Sequence, residues 1–136
     1  MIDSDYENLF LLLDQKEILI KDIMDLTKRI DIEVKQDEFV LDQLLADRQN
    51  RIDRVIRCDK LITQALEGSE DKAHINRILK GKTEKTNNEY EEKIKSKSDS
   101  IRNYFSRTLE IDKEANTILL SRREEARKML EEISKN

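Results

Sequence analysis

The chain has no proline and only two glycines, Gly68 and Gly81, in 136 residues. With so few helix breakers and 41% charged residues, long helices are the expected architecture. Two isolated glycines also leave no room for a Gly-rich phosphate loop. Tryptophan is absent and aromatics make up 4% of the chain, which is too little for a thick globular core. It is enough for elongated helices that each bury one stripe. One cysteine excludes an intrachain disulfide framework. One histidine, without a second cysteine, offers no zinc site. The longest apolar run, Leu9 to Leu13, is far below the length of a membrane span, so no membrane insertion is expected. Asp3, Asp5 and Glu7 carry the wrong sign for a signal peptide's first region, and a reducing cytoplasm is the expected location. The net charge of −4 does not steer the chain toward nucleic acid. The two halves differ mildly: residues 1–68 carry 10 basic and 16 acidic side chains, residues 69–136 carry 16 and 14. A solvated surface accounts for that difference.

What is present is a set of heptad-like stripes. The first reads Leu9, Leu12/Leu13, Lys16, Leu19/Ile20, Ile23, Leu26, Ile30 and Val34, and predicts a helix from about Ser4 to Lys35. Ser4 and Glu7 have the spacing of a capping box. Glu17–Lys21 and Asp31–Lys35 are i,i+4 pairs with the acid first. Polar residues thicken at Gln36–Asp37, where a turn with Asp37 as N-cap is favoured over continuous helix. The second stripe reads Leu41, Leu45, Arg48, Ile52, Val55, Asp59, Ile62 and Leu66, with Gly68 as the residue that ends it. Ser69 is the expected cap of a short helix carrying Ala73, Ile75, Ile78 and Leu79, which Gly81 ends. Lys82 to Asn88 reads as a loop. A last helix of about 45 residues starts near Asn88, with a seam of Ile101, Phe105, Thr108, Asp112, Ala115, Leu119, Arg122, Ala126, Met129 and Ile133. At 1.5 Å per residue it is roughly 70 Å long and outruns the others. The expected fold is therefore all-α: one domain over residues 1–136, an elongated antiparallel bundle of three long helices plus a short helix near residues 70–80.

No constellation suggests catalysis or a cofactor. Asp71-x-x-His74 is half of a di-iron carboxylate–histidine arrangement, and the chain has no second half, so His74 reads as a surface histidine. Cys58 flanks the second stripe with no base nearby and reads as an inert, half-buried thiol. Arg48, Arg51, Arg54 and Arg57 form an i,i+3 row, interleaved with acids. Asp47–Arg51 and Asp53–Arg57 pairs would make that face self-neutralised. Charges also interrupt the seams. Lys16 and Arg122 are expected to reach water by their long stems. Arg48, Asp59 and Asp112 are as consistent with pairing across the bundle as with solvent exposure. An enzyme is not expected. The remaining signal is apolar: Leu109, Ile111, Ala115, Ile118, Leu119 and Leu120 cover more than one face of the last helix. They either bury against the first two helices or dock another protein.

Three stretches carry a family resemblance. They are Leu12-Leu13-Asp14-Gln15-Lys16-Glu17-Ile18-Leu19-Ile20-Lys21-Asp22-Ile23, then Leu44-Leu45-Ala46-Asp47-Arg48-Gln49-Asn50-Arg51-Ile52-Asp53, and Ile111-Asp112-Lys113-Glu114-Ala115-Asn116-Thr117-Ile118-Leu119-Leu120 with Met129-Leu130. Together they resemble the flagellar export chaperones of the FlgN/FliT type over most of the chain, leaving residues 68–100 uncovered. The resemblance implies a small cytoplasmic helical chaperone for flagellar type III secretion. Such a protein holds the terminal amphipathic helix of a late export substrate, a filament-cap or hook–filament junction protein, and delivers it to the export apparatus. By position, the cargo surface would be Leu109, Ile111, Ala115, Ile118, Leu119 and Leu120. The alternative is a coiled-coil scaffold or helical adaptor that uses the same residues to form a homodimer.

Overall fold

Hydrophobic stripes at three-and-four spacing can only be satisfied by helix-on-helix packing, and that is the observed solution. The computed structural model describes residues 3–35, 41–82 and 85–135, apart from the side chains at 35, 119, 122, 123, 126, 127, 134 and 135. Four helices follow in order: α1 Asp3–Lys35, α2 Leu41–Leu66, α3 Lys72–Leu79 and α4 Glu89–Lys135. No strand occurs among the described residues. Ser4 lies inside the first turn of α1 rather than at its cap, because the helix already includes Asp3. The expected turn at Gln36–Asp37 and the cap at Asp37 lie outside the described residues.

Cross-helix contacts fix the directions. Lys16 of α1 meets Asp59 of α2 at 2.7 Å, and Asp22 meets Arg51 at 3.7 Å, so α2 runs back along α1. Tyr6 stacks on Tyr90 with ring centroids 5.2 Å apart, and Lys97 binds Asp14, so α4 runs parallel to α1. The bundle is thus up, down and up, antiparallel from each long helix to the next. Helix α1 is the central element: α2 and α4 both pack closely on it, while α3 packs on α4.

The core falls into two clusters. The larger gathers Leu9, Leu13, Ile20 and Ile23 of α1 with Ile62 and Leu66 of α2, Ile75 and Ile78 of α3, and Ile94 and Ile101 of α4. The smaller holds Ile30, Val34, Leu41, Leu44 and Ala115. The α1 positions are those of the sequence stripe, which confirms that the helical period selected the buried face. Between the clusters lies a polar layer built from Thr27, Arg48 and Asp112.

Both glycines end helices. Gly68 follows α2 with φ +77°, and Gly81 follows α3 with φ +70°. At Gly81 the Lys82 N–H donates to the Arg77 carbonyl at 2.8 Å and the Gly81 N–H to the Ile78 carbonyl at 3.1 Å. That is the paired 6→1 and 5→2 bonding of a Schellman cap, which requires a left-handed residue at this position. Ser69 does not cap α3. Its hydroxyl accepts the Asp71 N–H at 3.2 Å, a local serine turn, and the helix starts three residues after it at Lys72.

Candidate functional site

Helix α4 is fixed to the bundle at three levels before it runs free. At its start, Asn88 accepts the Glu91 N–H at 2.9 Å and so caps the helix. Glu91 is only 2% exposed, and its carboxylate collects the Tyr6 hydroxyl at 3.2 Å, the Asn87 N–H at 3.0 Å and His74 Nε2 at 2.7 Å. One buried carboxylate therefore joins α1, α3 and the loop before α4. His74 is not the freely solvated surface residue its sequence context suggests, because Glu91 draws it inward. Burial first, and then the neighbouring Glu91 charge, hold the Tyr6 phenol above its usual range. The charges of Asp3 and Glu7, with partial desolvation, do the same for Tyr90.

Nearly two turns higher, Lys97 reaches Asp14 at 3.0 Å and Glu17 at 3.2 Å, with its ammonium 5.2 Å from the Phe10 ring centroid. The hydrogen bond to Asp14, opposed by desolvation and reinforced by Glu17, raises the Lys97 pKa. Burial works against ionisation of Glu17, but hydrogen bonds with Ser100 and Lys97 and the charges of Lys97 and Lys21 outweigh it and hold the carboxyl below its usual range. Arg102 donates to the Leu79 carbonyl and pairs with Asp99, which ties α4 to the end of α3.

The third level is the polar layer. Arg48 lies 2.6 Å from Asp112 and 3.4 Å from the Thr27 hydroxyl. Both seam charges on α2 are paired, since Asp59 holds Lys16. Lys16 was expected to reach water; a carboxylate on the adjacent helix intercepts its ammonium instead. The Arg122 side chain lies outside the described residues. The arginine row is not self-neutralised either. Gln43 donates to Asp47 at 2.9 Å and Gln49 to Asp53 at 3.0 Å, so those carboxylates are engaged by glutamines one turn earlier. Arg48 and Arg51 reach other helices, and Arg54 and Arg57 form no ion pair among the described residues.

Cys58 is buried more fully than expected, at 4% exposure. Its thiol donates to the Leu12 carbonyl at 3.2 Å, and burial together with the Asp59 charge pushes its pKa up. Among the described residues, no three His, Cys, Asp or Glu side chains converge as metal ligands. No described helix is long and apolar enough to cross a membrane.

The apolar set on α4 divides. Ala115 is 1% exposed, in the second cluster with Ile30, Val34, Leu41 and Leu44, and so takes no part in an open surface. It lies on the α4 face turned to α1, where a small residue lets the helices approach. Ile118 packs against the same cluster, and Ile111 is half-buried. Leu109 is 54% exposed and Leu120 62%. The side chain of Leu119 lies outside the described residues. Further along α4, Met129, Leu130 and Ile133 are each about two-thirds exposed. The open apolar side chains of α4 thus include Leu109 and Leu120 and continue to Ile133, further toward the end of the helix than the sequence reading placed them. The signal for this was the helix lengths, 47 residues in α4 against 33 in α1 and 26 in α2.

Compared with protein-family models, with curated proteins and with solved structures, the chain matches none.

Proposed function

We propose that this protein is a non-enzymatic helical chaperone whose α4 overhang receives an amphipathic helix of another protein. The flagellar-export resemblance of its three longest stripes makes a late type III export substrate the best candidate cargo. The observation that carries the reading is the run of α4 past the last layer of the bundle, with Leu120, Met129, Leu130 and Ile133 exposed on it. A seam at three-and-four spacing is complementary to a second helix of the same pattern. Docking such a helix would remove apolar surface from water on both partners, at about 25 cal/mol per Å² before ordering costs. Chaperoning then consists of covering a cargo helix that would otherwise self-associate. The reading needs no cofactor, and places the protein in the cytoplasm, where cargo awaits export.

The test is co-expression with flagellar cap and hook–filament junction proteins, followed by size-exclusion chromatography with light scattering. A one-to-one complex that is lost in Leu120→Asp and Met129→Asp, with helicity unchanged by circular dichroism, supports the proposal. A permanent dimer indifferent to those partners would instead make the chain a self-associating scaffold.

A further inference from the structure

A second surface lies away from α4, on the α1–α2 hairpin. An open groove of about 670 Å³ is lined by Gln15, Ile18, Leu19 and Asp22 of α1 and by Arg54, Arg57, Cys58 and Leu61 of α2. Its size is in the range of about 300–1,000 Å³ typical of ligand-holding clefts. At the level of the groove, Asp14, Glu17 and Lys21 of α1 meet α4, on a different face from Gln15, Ile18 and Asp22. The groove is therefore independent of the α4 overhang.

We infer that this groove docks an acidic amphipathic helix from a partner protein. Three observations converge on that occupant. First, both walls are helical rows at three-and-four spacing: Gln15, Ile18 and Asp22 on one side, Arg54, Cys58 and Leu61 on the other. Two such rows, side by side, form the furrow into which the ridge of a third helix packs. Second, the apolar part is open. Ile18 is 54% exposed and Leu61 49%, while Cys58, with its thiol tied to Leu12, closes the floor. Third, the charge is unbalanced. Arg54 and Arg57 are exposed and form no ion pair among the described residues, and Asp22, the one carboxylate in the lining, already faces Arg51 at 3.7 Å. Two guanidiniums beside an apolar furrow call for carboxylates next to apolar side chains. A basic helix meets like charge there and is disfavoured. The matching helix places apolar residues over Ile18 and Leu61 at i and i+3 or i+4, with Asp or Glu about one turn along against Arg54 and Arg57.

The experiment uses the full chain and two labelled synthetic helices of about four turns. Both carry leucines at i, i+3, i+7 and i+10; one carries glutamates at the flanking positions and the other lysines. Fluorescence anisotropy should show the acidic probe binding with Kd about 10–100 μM and the basic probe at least tenfold more weakly. In the doubly substituted Arg54→Glu, Arg57→Glu chain the preference should reverse, which a merely destabilised protein would not produce. Leu61→Asp should abolish binding of the acidic probe, and Leu120→Asp should leave it unchanged. The proposal is overturned if the acidic probe fails to bind up to about 1 mM, if both probes bind alike, or if the charge reversal changes nothing. Light scattering that shows self-association lost in Leu61→Asp would also overturn it, by assigning the groove to a second copy. Since Leu120→Asp is the control here, failure of this groove and failure of the chaperone reading are separately visible.

Discussion

The Arg48 guanidinium of α2 lies 2.6 Å from the Asp112 carboxylate of α4 and 3.4 Å from the Thr27 hydroxyl of α1, so one side chain joins all three long helices. Helices α2 and α4 each pack chiefly on α1. Among the described residues this is the one ion pair between them. It sits where the two apolar clusters are interrupted, and so sets the relative height of the helices. A shift by one turn would separate Arg48 from Asp112 and leave a charge half-buried without its partner.

Arg48→Met should therefore cost about 1.5–3 kcal/mol in urea unfolding, the range for a hydrogen bond to a charged group. Adding Asp112→Leu should recover part of that loss, because no unpaired charge remains. A double variant whose loss equals the sum of the two single losses would show that the pair does not couple.

Glu17 and Lys97 predict opposite pH limbs. The folded Glu17 carboxyl titrates below its ordinary value of 4.5, so its contribution is present above that value and is lost as pH falls through the folded pKa. Lys97 titrates above its ordinary value of 10.5, so its contribution is full below that value and is lost as pH rises through the folded pKa. The stability gap between the native chain and Glu17→Gln should be widest at about pH 6–8 and close on acidification below about pH 4. A gap that stays constant from neutral to acid pH would remove Glu17 from the account.

The two glycines should differ. Gly68→Ala meets open space and suffers only from its positive φ, about 1 kcal/mol. At Gly81 a Cβ would also come 2.7 Å from Arg102, whose guanidinium is held by the Leu79 carbonyl and Asp99. Gly81→Ala should cost more than Gly68→Ala, and the excess should vanish in an Arg102→Ala background. Thermal unfolding of the four variants measures this directly.

Substitutions on the overhang should be neutral for folding. Ile133→Asp and Met129→Asp should change unfolding free energy by less than about 0.5 kcal/mol, as exposed positions do. Ile94→Ala, at 1% exposure in the main core, should cost about 2–5 kcal/mol. Equal losses would mean that the overhang packs against something in the free chain.

The long stripes were legible because hydrophobic period alone selects the buried face: Leu9, Leu13, Ile20, Ile23, Ile30 and Val34 are all buried. The helix ends at Gly68 and Gly81 were legible because only a left-handed residue closes them cheaply. The seam of α4 reads as regular only from Ile101 onward for a physical reason. Its seam positions beside Ile94 and Ile101 are Glu91 and Ser98, 2% and 3% exposed. A polar residue at a buried position is invisible to hydrophobic period. The partners that make Glu91 tolerable, Tyr6 and His74, come from 85 and 17 residues away in sequence. The arginine row failed similarly. Local spacing offered i,i+4 carboxylates, but Gln43 and Gln49 reached two of them first, and Arg48 and Arg51 found acids on other helices. Of the apolar set on α4, Leu109 and Leu120 proved open and Ala115 closed, a division that depends on which face of α4 meets α1.

The length of α4 beyond Ile118 has a consequence for any helix that binds there. A free peptide of 17 residues or so must first nucleate, at a penalty of about 10⁻³ or roughly 4 kcal/mol, before each added residue propagates the coil into helix. In this protein the nucleus already exists in the preceding turns, clamped by Arg48–Asp112 and by Ala115 in the second cluster. The overhang is thus a primed template. An incoming chain would zip onto a track already wound, and only one of the two strands would have to order itself.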